Sequence, residues 1–163
     1  METAKKIALS EQVIALLNDE RSAQTLATVG KDGTPHSVFA DAICADADGT
    51  IRYWELLETS ITNKNLTYAL WFRRTVAITV RGADGMSWQI TGIPIKALIC
   101  GAEFEDAYRA ARERFGDGAD LSTVWLITPV AAREETYAIR RQAEQTQHPL
   151  IGHLDRLARP SLP

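Results

Sequence analysis

The chain has 163 residues, of which 45% are hydrophobic and 24% charged, a composition typical of one globular domain and not of a disordered chain. Its net charge is −3, from 18 basic and 21 acidic residues, and no basic stripe marks a nucleic-acid binder. No apolar run approaches the ~20 residues that span a bilayer. Residues 1–10 lack the charged-then-apolar pattern of a secretory signal peptide, so we expect a cytoplasmic protein.

The sequence predicts an N-terminal helix followed by a series of short strands. Ser10 is a plausible N-cap for a helix over residues 10–20, because the apolar residues after it repeat at helical spacing. Asp-Gly pairs then separate apolar, β-permissive runs, which is typical of an antiparallel meander. The predicted strands are 25–29, 36–45, 51–57, 75–81, 87–99 and 122–130.

Two predicted helices interrupt these strands. The first covers Ser60–Phe72, and the second covers Glu103–Phe115, where Gly116 stops it. Six strands with inserted helices indicate a closed or nearly closed small barrel, in a single domain over 1–163. The tail over 136–163 is charged, and an apolar cluster in it could pack on the barrel or on a partner subunit. The cluster consists of Leu150, Ile151, Leu154 and Leu157.

The sequence carries no recognisable metal or phosphate-loop motif. It contains no G-x-x-x-x-G-K-[ST] loop and no Cys-x-x-Cys pair, and the spacing of His148 and His153 places them on different faces of a helix. We therefore predict no metal site. Cys44 and Cys100 both lie in apolar, strand-like runs, so we expect buried free thiols in a reducing cytoplasm.

The segment 58–66 is a candidate anion site, because it runs from the end of a strand into the start of a helix. The first turn of a helix has unpaired backbone N–H groups and a partial positive charge. The hydroxyls of Ser60 and Thr62 and the ammonium of Lys64 add donors that could hold a phosphate monoester. On this segment alone, the simpler interpretation is that Ser60 or Thr62 only caps the helix.

The order of motifs along the chain favours the anion site. A helix precedes the segment 26–36, a strand ends at Thr59-Ser60, and a helix starts at 62–66. The segments 89–92 and 126–129 follow, with a helix between them. Over roughly residues 8–135 this order resembles the pyridoxamine 5′-phosphate oxidase-like family, the FMN-binding split barrels.

The resemblance implies a mainly β fold with helices, a six-stranded antiparallel split β-barrel. It also implies a homodimer with two FMN molecules in clefts between the subunits. In such proteins the strand-to-helix turn holds the phosphate. That turn is here Ser60, Ile61 and Thr62, with Lys64 as the nearest base, whereas many relatives carry a lysine or arginine within the turn itself.

The resemblance also implies which side chains lie beside the flavin ring. These positions are Phe39, Ala40, Asp41, Trp54, Glu55 and Leu56, and Gln89 is expected to approach from the opposite subunit. Phe39 and Trp54 could equally be core aromatics, and Gln89 could be a solvent-facing strand residue.

Two functions remain open from the sequence. The first is a cytoplasmic, dimeric FMN-dependent oxidoreductase acting on a small molecule, in which FMN does the electron chemistry and no side chain is assigned as catalytic. The second is a non-catalytic binding module of the same fold, holding haem, a deazaflavin or another ligand. Neither a nucleic acid nor a membrane is expected as a partner.

Overall fold

The computed structural model describes residues 5–149, and within them it has seven strands and four helices. The apolar cluster predicted at Leu150, Ile151, Leu154 and Leu157 lies outside the described residues, as does His153. In chain order the elements are α1 (Glu11–Asn18), β1 (Ala23–Val29), β2 (Pro35–Phe39), β3 (Ile43–Ala45), β4 (Ile51–Glu55), α2 (Ile61–Phe72), β5 (Val76–Arg81), β6 (Ser87–Leu98), α3 (Ala102–Phe115), β7 (Thr123–Glu134) and α4 (Tyr137–Gln147).

All seven strands form one antiparallel sheet, which confirms the predicted mainly β split-barrel class. The strand order is β2-β1-β5-β6-β7-β4-β3, and the sheet curls into a half-barrel. Two register shifts in the β6–β7 ladder, at Thr91/Gly92 and at Pro94/Lys96, interrupt the pairing of its longest strands. Such irregularities bend a strand and increase its twist, as a curled sheet requires.

The sequence predicted six strands, and the seventh arises from a break in the segment 36–45. A turn at Asp41 and Ala42 ends β2 before β3 begins. The amide of Ala40 still donates to the carbonyl of Gln24 in β1, at 3.0 Å, whereas the carbonyl of Ala42 accepts from the amide of Trp54, at 3.0 Å. The segment therefore changes its hydrogen-bonding partner from one edge of the sheet to the other.

The core lies between the sheet and the helices α1 and α2. The largest fully buried side chains include one or two from most elements, namely Val13, Leu17, Leu26, Ile51, Leu66, Ile78, Ile90 and Ile127. A second, smaller cluster joins α3 to the sheet through Leu98, Ala107, Ala111, Leu121 and Val124. The two clusters explain why the predicted helices form, since each buries one apolar face.

The prediction of two buried thiols is wrong for Cys100. Cys44 is half-buried in β3, but Cys100 is exposed. The reason is that β6 ends at Leu98, so Cys100 falls in the connection to α3 and not in a buried strand. Burial, with the nearby carboxylate of Asp46, raises the pKa of the Cys44 thiol, so it stays protonated at neutral pH.

The described part of the tail is the helix α4, and none of its residues is buried. Its start is linked to the sheet, because the amide of Ser87 donates to the hydroxyl of Thr136, at 3.1 Å. Packing of the tail on the barrel or on a partner stays a prediction. In residues 5–149, no helix combines the length and the apolarity that crossing a membrane requires.

Candidate functional site

The start of α2 is organised by Ser60, which caps the helix as predicted. Its backbone is extended, at φ −60° and ψ 152°, and its Oγ accepts a hydrogen bond from the amide of Asn63, at 2.8 Å. This bond satisfies one of the N–H groups that a helix start leaves without a partner. The amides of Ile61 and Thr62 come earlier in the same turn, where an anion is favoured by the helix dipole.

The hydroxyl proton of Ser60 points toward a buried carboxylate. Ser60 Oγ donates to Oε2 of Glu55, at 2.7 Å, and Glu55 is only 4% exposed. The same carboxylate accepts from the amide of Leu57, at 2.9 Å, and from the hydroxyl of Tyr53, at 3.2 Å. Ser60 has one proton to give, so in this arrangement it has none left for a phosphate.

The charge of Glu55 is compensated by these three donors. Burial, followed by the proximity of Glu55, raises the pKa of the Tyr53 hydroxyl, which keeps it protonated and donating at any physiological pH. A carboxylate with several hydrogen bonds can be buried at a tolerable cost, whereas a bare one cannot. Glu55 therefore fixes the path of the chain from β4 into α2.

The hydroxyl of Thr62 has a different partner, the imidazole of His36. Thr62 is 2% exposed, and its Oγ1 lies 3.1 Å from Nε2 of His36 in β2. Which atom donates depends on the His tautomer, and a protonated imidazole donates. His36 is half-buried and reaches the helix start from the neighbouring hairpin.

A cleft of about 590 Å³ opens beside this pair, between the β1–β2 hairpin and the first turn of α2. Lys31 and His36 supply its basic groups, and Asp32 its carboxylate. Both oxygens of Asp32 accept bonds from Thr34, which lowers the pKa of the Asp32 carboxyl. The remaining lining residues are Gly30, Thr34, Pro35, Ile61 and Asn65.

The two asparagines of α2 hold the helix against the sheet. Asn63 Oδ1 accepts from the indole nitrogen of Trp125 in β7, at 2.9 Å. The side-chain amide of Asn65 donates to the hydroxyl of Thr28 in β1, at 3.0 Å, and both residues are buried. Lys64 lies between them and is exposed to solvent.

The structure separates the predicted strand residues between the two faces of the sheet. Neighbours along a strand point to opposite faces, and Glu55 faces the start of α2 while Trp54 and Leu56 pack against the cluster under α3. Trp54 is therefore half-buried beside α3. Gln89 is also half-buried, at a position of β6 paired with Thr79 and Arg133.

The predicted residues near the end of β2 differ in exposure. Phe39 is 78% exposed, so it is not a core aromatic. Ala40 is buried, and Asp41 is exposed in the turn that follows. His36 and Phe39 lie near the two ends of this short strand, about 10 Å apart along it, and their side chains point to opposite faces of it.

His36 and Lys31 are the site residues that the sequence did not reveal. The hairpin containing them was predicted, but the contact with Thr62 depends on the register of β1 on β2, which pairs Thr28 with His36. The signal available was weak: one histidine directly after a hairpin turn. Among the described residues, no group of three potential ligands from His, Cys, Asp and Glu is placed to hold a metal ion.

No protein-family model matches the chain, and no curated protein matches its sequence. Solved structures do match. HupZ of Group A Streptococcus has a TM-score of 0.65 at 18% identity, over 79% of this chain and 95% of that one. An FMN-binding protein from Syntrophomonas wolfei has a TM-score of 0.65 at 15% identity, over 77% and 84%.

A further match is a provisionally assigned pyridoxamine 5′-phosphate oxidase from Listeria innocua. Its TM-score is 0.56 at 19% identity, over 77% of this chain and 97% of that one. At these identities the likeness concerns the fold. The chain therefore has the fold of the pyridoxamine 5′-phosphate oxidase-like, FMN-binding split barrels, as the order of its sequence motifs predicted.

Proposed function

We propose that this chain is a cytoplasmic, homodimeric FMN-binding protein that works as a flavin-dependent oxidoreductase. One observation carries the proposal: a cleft of about 590 Å³ meets the first turn of α2, in a fold shared with an FMN-binding protein. The N-terminus of a helix favours binding of phosphate groups, and Lys31 and His36 in the cleft wall add basic groups that also favour it.

The residues at the cleft fit a phosphate monoester. Thr62 Oγ1 and His36 Nε2 are hydrogen-bonded at 3.1 Å at the helix start, and when the imidazole donates in this bond, the Thr62 hydroxyl keeps its proton for an anionic oxygen. Lys31 contributes an exposed ammonium on the opposite wall. In this arrangement His36 and Lys31 supply the positive charge that a basic residue within the turn supplies in many relatives. Ser60 caps the helix and does not bind the phosphate.

FMN, when bound, supplies the electron-accepting chemistry, and the protein's share is to bind, orient and shield it. The start of α2 and His36 bind and orient the phosphate end. The sequence resemblance assigns Phe39 to the ring end. Phe39 is exposed near the other end of β2, on the face opposite to His36, so the ring would contact it around this edge strand. A planar aromatic ligand would cover such a side chain, whose exposure is otherwise unfavourable.

The second subunit is part of the proposal, because the chain exposes apolar side chains at and near the cleft. Ile61 lines the cleft and is more than half exposed, as are Leu57, shortly before α2, and Phe39, at the end of β2. An apolar surface of this kind on a small domain marks an interaction site. A second copy would cover it and complete the cleft.

The test is the visible spectrum of the freshly purified full chain, followed by titration with FMN and with riboflavin. We expect the blue absorption of oxidised flavin, and FMN binding at least about tenfold tighter than riboflavin, since charge-assisted hydrogen bonds to the phosphate are worth ~1.5–3 kcal/mol. A colourless protein that binds neither compound would overturn the proposal. An intense Soret band would assign the barrel to haem.

One observation favours the alternative of a binding module without redox work. The turn lacks a lysine or arginine at Ile61 and Thr62, and Ser60 donates its proton to Glu55. A deazaflavin or another ligand would then be held mainly by contacts to its ring and less by contacts to the turn. Equal affinity for FMN and riboflavin, with no reduction of bound flavin by nicotinamide cofactors, would support this alternative.

A further inference from the structure

A second pocket, of about 330 Å³, lies where the end of α1, the start of β1 and the β2–β3 connection meet. It has no lining residue in common with the cleft at α2. The residues that matter for its chemistry are Glu20, Ser22, Gln24, Asp41, Cys44 and Arg114. The proposed function does not use this pocket. Of its residues, the sequence resemblance placed Asp41 beside a flavin.

The wall of the pocket contains a buried amide oxygen with no partner. Gln24 is 6% exposed, and its Nε2 donates to the carbonyl of Leu17, at 2.6 Å. That bond fixes the orientation of the amide, and Oε1 is left without a hydrogen bond to any described residue. Ser22 Oγ, on the same wall, is likewise buried and unpartnered among the described residues.

Such atoms are unusual in a folded protein, because a buried polar group without a partner is costly. An amide oxygen can only accept, and a hydroxyl can do both. The Gln24 oxygen can therefore be satisfied only by a hydrogen-bond donor, and an ammonium group provides three.

The charges around the pocket favour a ligand that is positively charged at one end and negatively charged at the other. Asp41 and Glu20 are exposed carboxylates that form no ion pair with any described residue, whereas the third carboxylate of the lining, Asp19, is paired with Arg21. The Cys44 thiol is neutral, because burial raises its pKa. Arg114 is the cation of the lining, so a purely cationic ligand would be repelled at that side.

We propose that this pocket binds a small ω-amino acid, whose ammonium meets Gln24 Oε1 and Ser22 Oγ near Asp41 and Glu20, and whose carboxylate faces Arg114. The proposal does not depend on flavin binding. It supplies a donor to the Gln24 oxygen, and it pairs opposite charges at both ends.

The test is titration calorimetry of the full chain with a ladder of zwitterions from glycine to 5-aminopentanoate. Each is compared with the amine and the carboxylate of the same length, for instance 4-aminobutanoate with butylamine and butanoate. We expect one zwitterion to bind saturably, at least about tenfold tighter than either partial analogue, because each lacks one charge-assisted contact.

Three variants locate the site. Ser22→Ala removes a hydroxyl that makes no hydrogen bond to any described residue, so it should leave the thermal stability intact and weaken binding of the zwitterion severalfold. Asp41→Asn should weaken it about tenfold, while Arg114→Gln should reduce the preference for the zwitterion over the amine. The matched control is Glu113→Gln, an exposed carboxylate beside Arg114 that does not line the pocket, and it should change nothing.

The proposal is wrong if no probe binds saturably at millimolar concentration. It is also wrong if Asp41→Asn and Glu113→Gln have equal effects, since binding would then be a general response to surface charge. A crystal structure grown with the best probe that shows only an ordered water at Gln24 and Ser22 would equally overturn it, because a water alone then satisfies both atoms.

Discussion

Thr62 and Ser60 are two residues apart and both carry a hydroxyl group, yet their surroundings give the two hydroxyls different hydrogen-bond partners. The Ser60 proton is taken by Glu55, at 2.7 Å, and its oxygen by the amide of Asn63. Among the described residues, the Thr62 hydroxyl has one hydrogen-bond partner, the imidazole of His36, at 3.1 Å. At this scale, function is decided by which hydrogen bonds are already occupied.

Thr62→Val tests the phosphate role of that hydroxyl. The two side chains have nearly the same shape, so the buried position stays filled, while one donor to the phosphate is lost. We expect FMN to bind about tenfold more weakly and riboflavin, which lacks the phosphate, to bind as before. The measurement is fluorescence titration with both compounds.

The matched control is Thr67→Val, one turn further along α2, where the hydroxyl donates to the carbonyl of Asn63 and faces solvent. It should leave both affinities unchanged. If Thr62→Val weakens riboflavin and FMN equally, the hydroxyl supports the helix start and does not contact a phosphate.

Glu55 allows a prediction about stability. Glu55→Gln keeps the size of the side chain but replaces one accepting oxygen with a donating nitrogen, so at least one of its three donors loses its acceptor. We expect a loss of about 1–3 kcal/mol in the free energy of unfolding, measured by urea denaturation. Glu58→Gln is the control, because that neighbouring carboxylate is exposed and should change stability by less than about 0.5 kcal/mol.

These residue-level roles were only partly predictable from the sequence. A serine between a strand and a helix predicts an N-cap, and Ser60 is one. The sequence could not show that its proton goes to Glu55, because that requires knowing which face of β4 turns toward α2. His36 was missed for a similar reason, since its contact with Thr62 links two elements whose packing the local pattern does not contain.

At the scale of elements, the hairpins were the most predictable feature. The glycines of the three Asp-Gly hairpin turns, Gly33, Gly49 and Gly85, have positive φ, between 79° and 87°, a conformation that glycine adopts without strain. The break between β2 and β3 was not predictable, because apolar residues continue across it. The change of partner is seen only in the hydrogen bonds before and after the break, to Gln24 in β1 and to Trp54 in β4.

The hairpin between β3 and β4 gives a prediction about pH. The amide of Thr50, the ammonium of Lys6 and the hydroxyl of Thr50 lower the pKa of Asp48 from its usual 3.8 to about 2. A depressed pKa in the folded state means that ionised Asp48 adds stability above pH 3.8, and that this contribution is lost as the pH falls toward 2. The melting temperature should therefore fall over this window.

Asp48→Asn should reduce that dependence without removing it, because other carboxylates titrate there too. The expected result is a smaller drop in melting temperature between pH 4 and pH 2 than in the unchanged protein, with little difference in slope at pH 6–8. Addition of salt should weaken the part due to Lys6, since that ion pair is exposed. An unchanged slope in the variant would contradict the assignment.

At the scale of the whole molecule, the sequence predicted the architecture better than the site. The alternation of apolar residues and the order of motifs were enough for a split barrel with inserted helices, and the solved structures share that fold. Fold follows from patterns repeated over many residues, so single errors average out. A site depends on a few side chains whose neighbours are distant in sequence, as Thr62 and His36 are.

The last prediction concerns assembly. We expect a homodimer, because Phe39, Leu57 and Ile61 are exposed apolar side chains, of which Ile61 lines the candidate cleft, and burial of apolar side chains is what drives association. Light scattering at micromolar concentration should give about 36 kDa, twice the 18.0 kDa of one chain. Phe39→Ser should shift the mass toward the single chain and should weaken FMN binding in parallel, since in the proposed function the second subunit completes the cleft.

The comparison with Thr62→Val separates assembly from phosphate binding. That variant is expected to lose FMN affinity and to remain dimeric, because Thr62 is buried and contributes little to the outer surface. Phe39→Ser is expected to lose both. A constant 18.0 kDa species across the concentration range, in the presence and absence of FMN, would contradict both the dimer and the shared cleft.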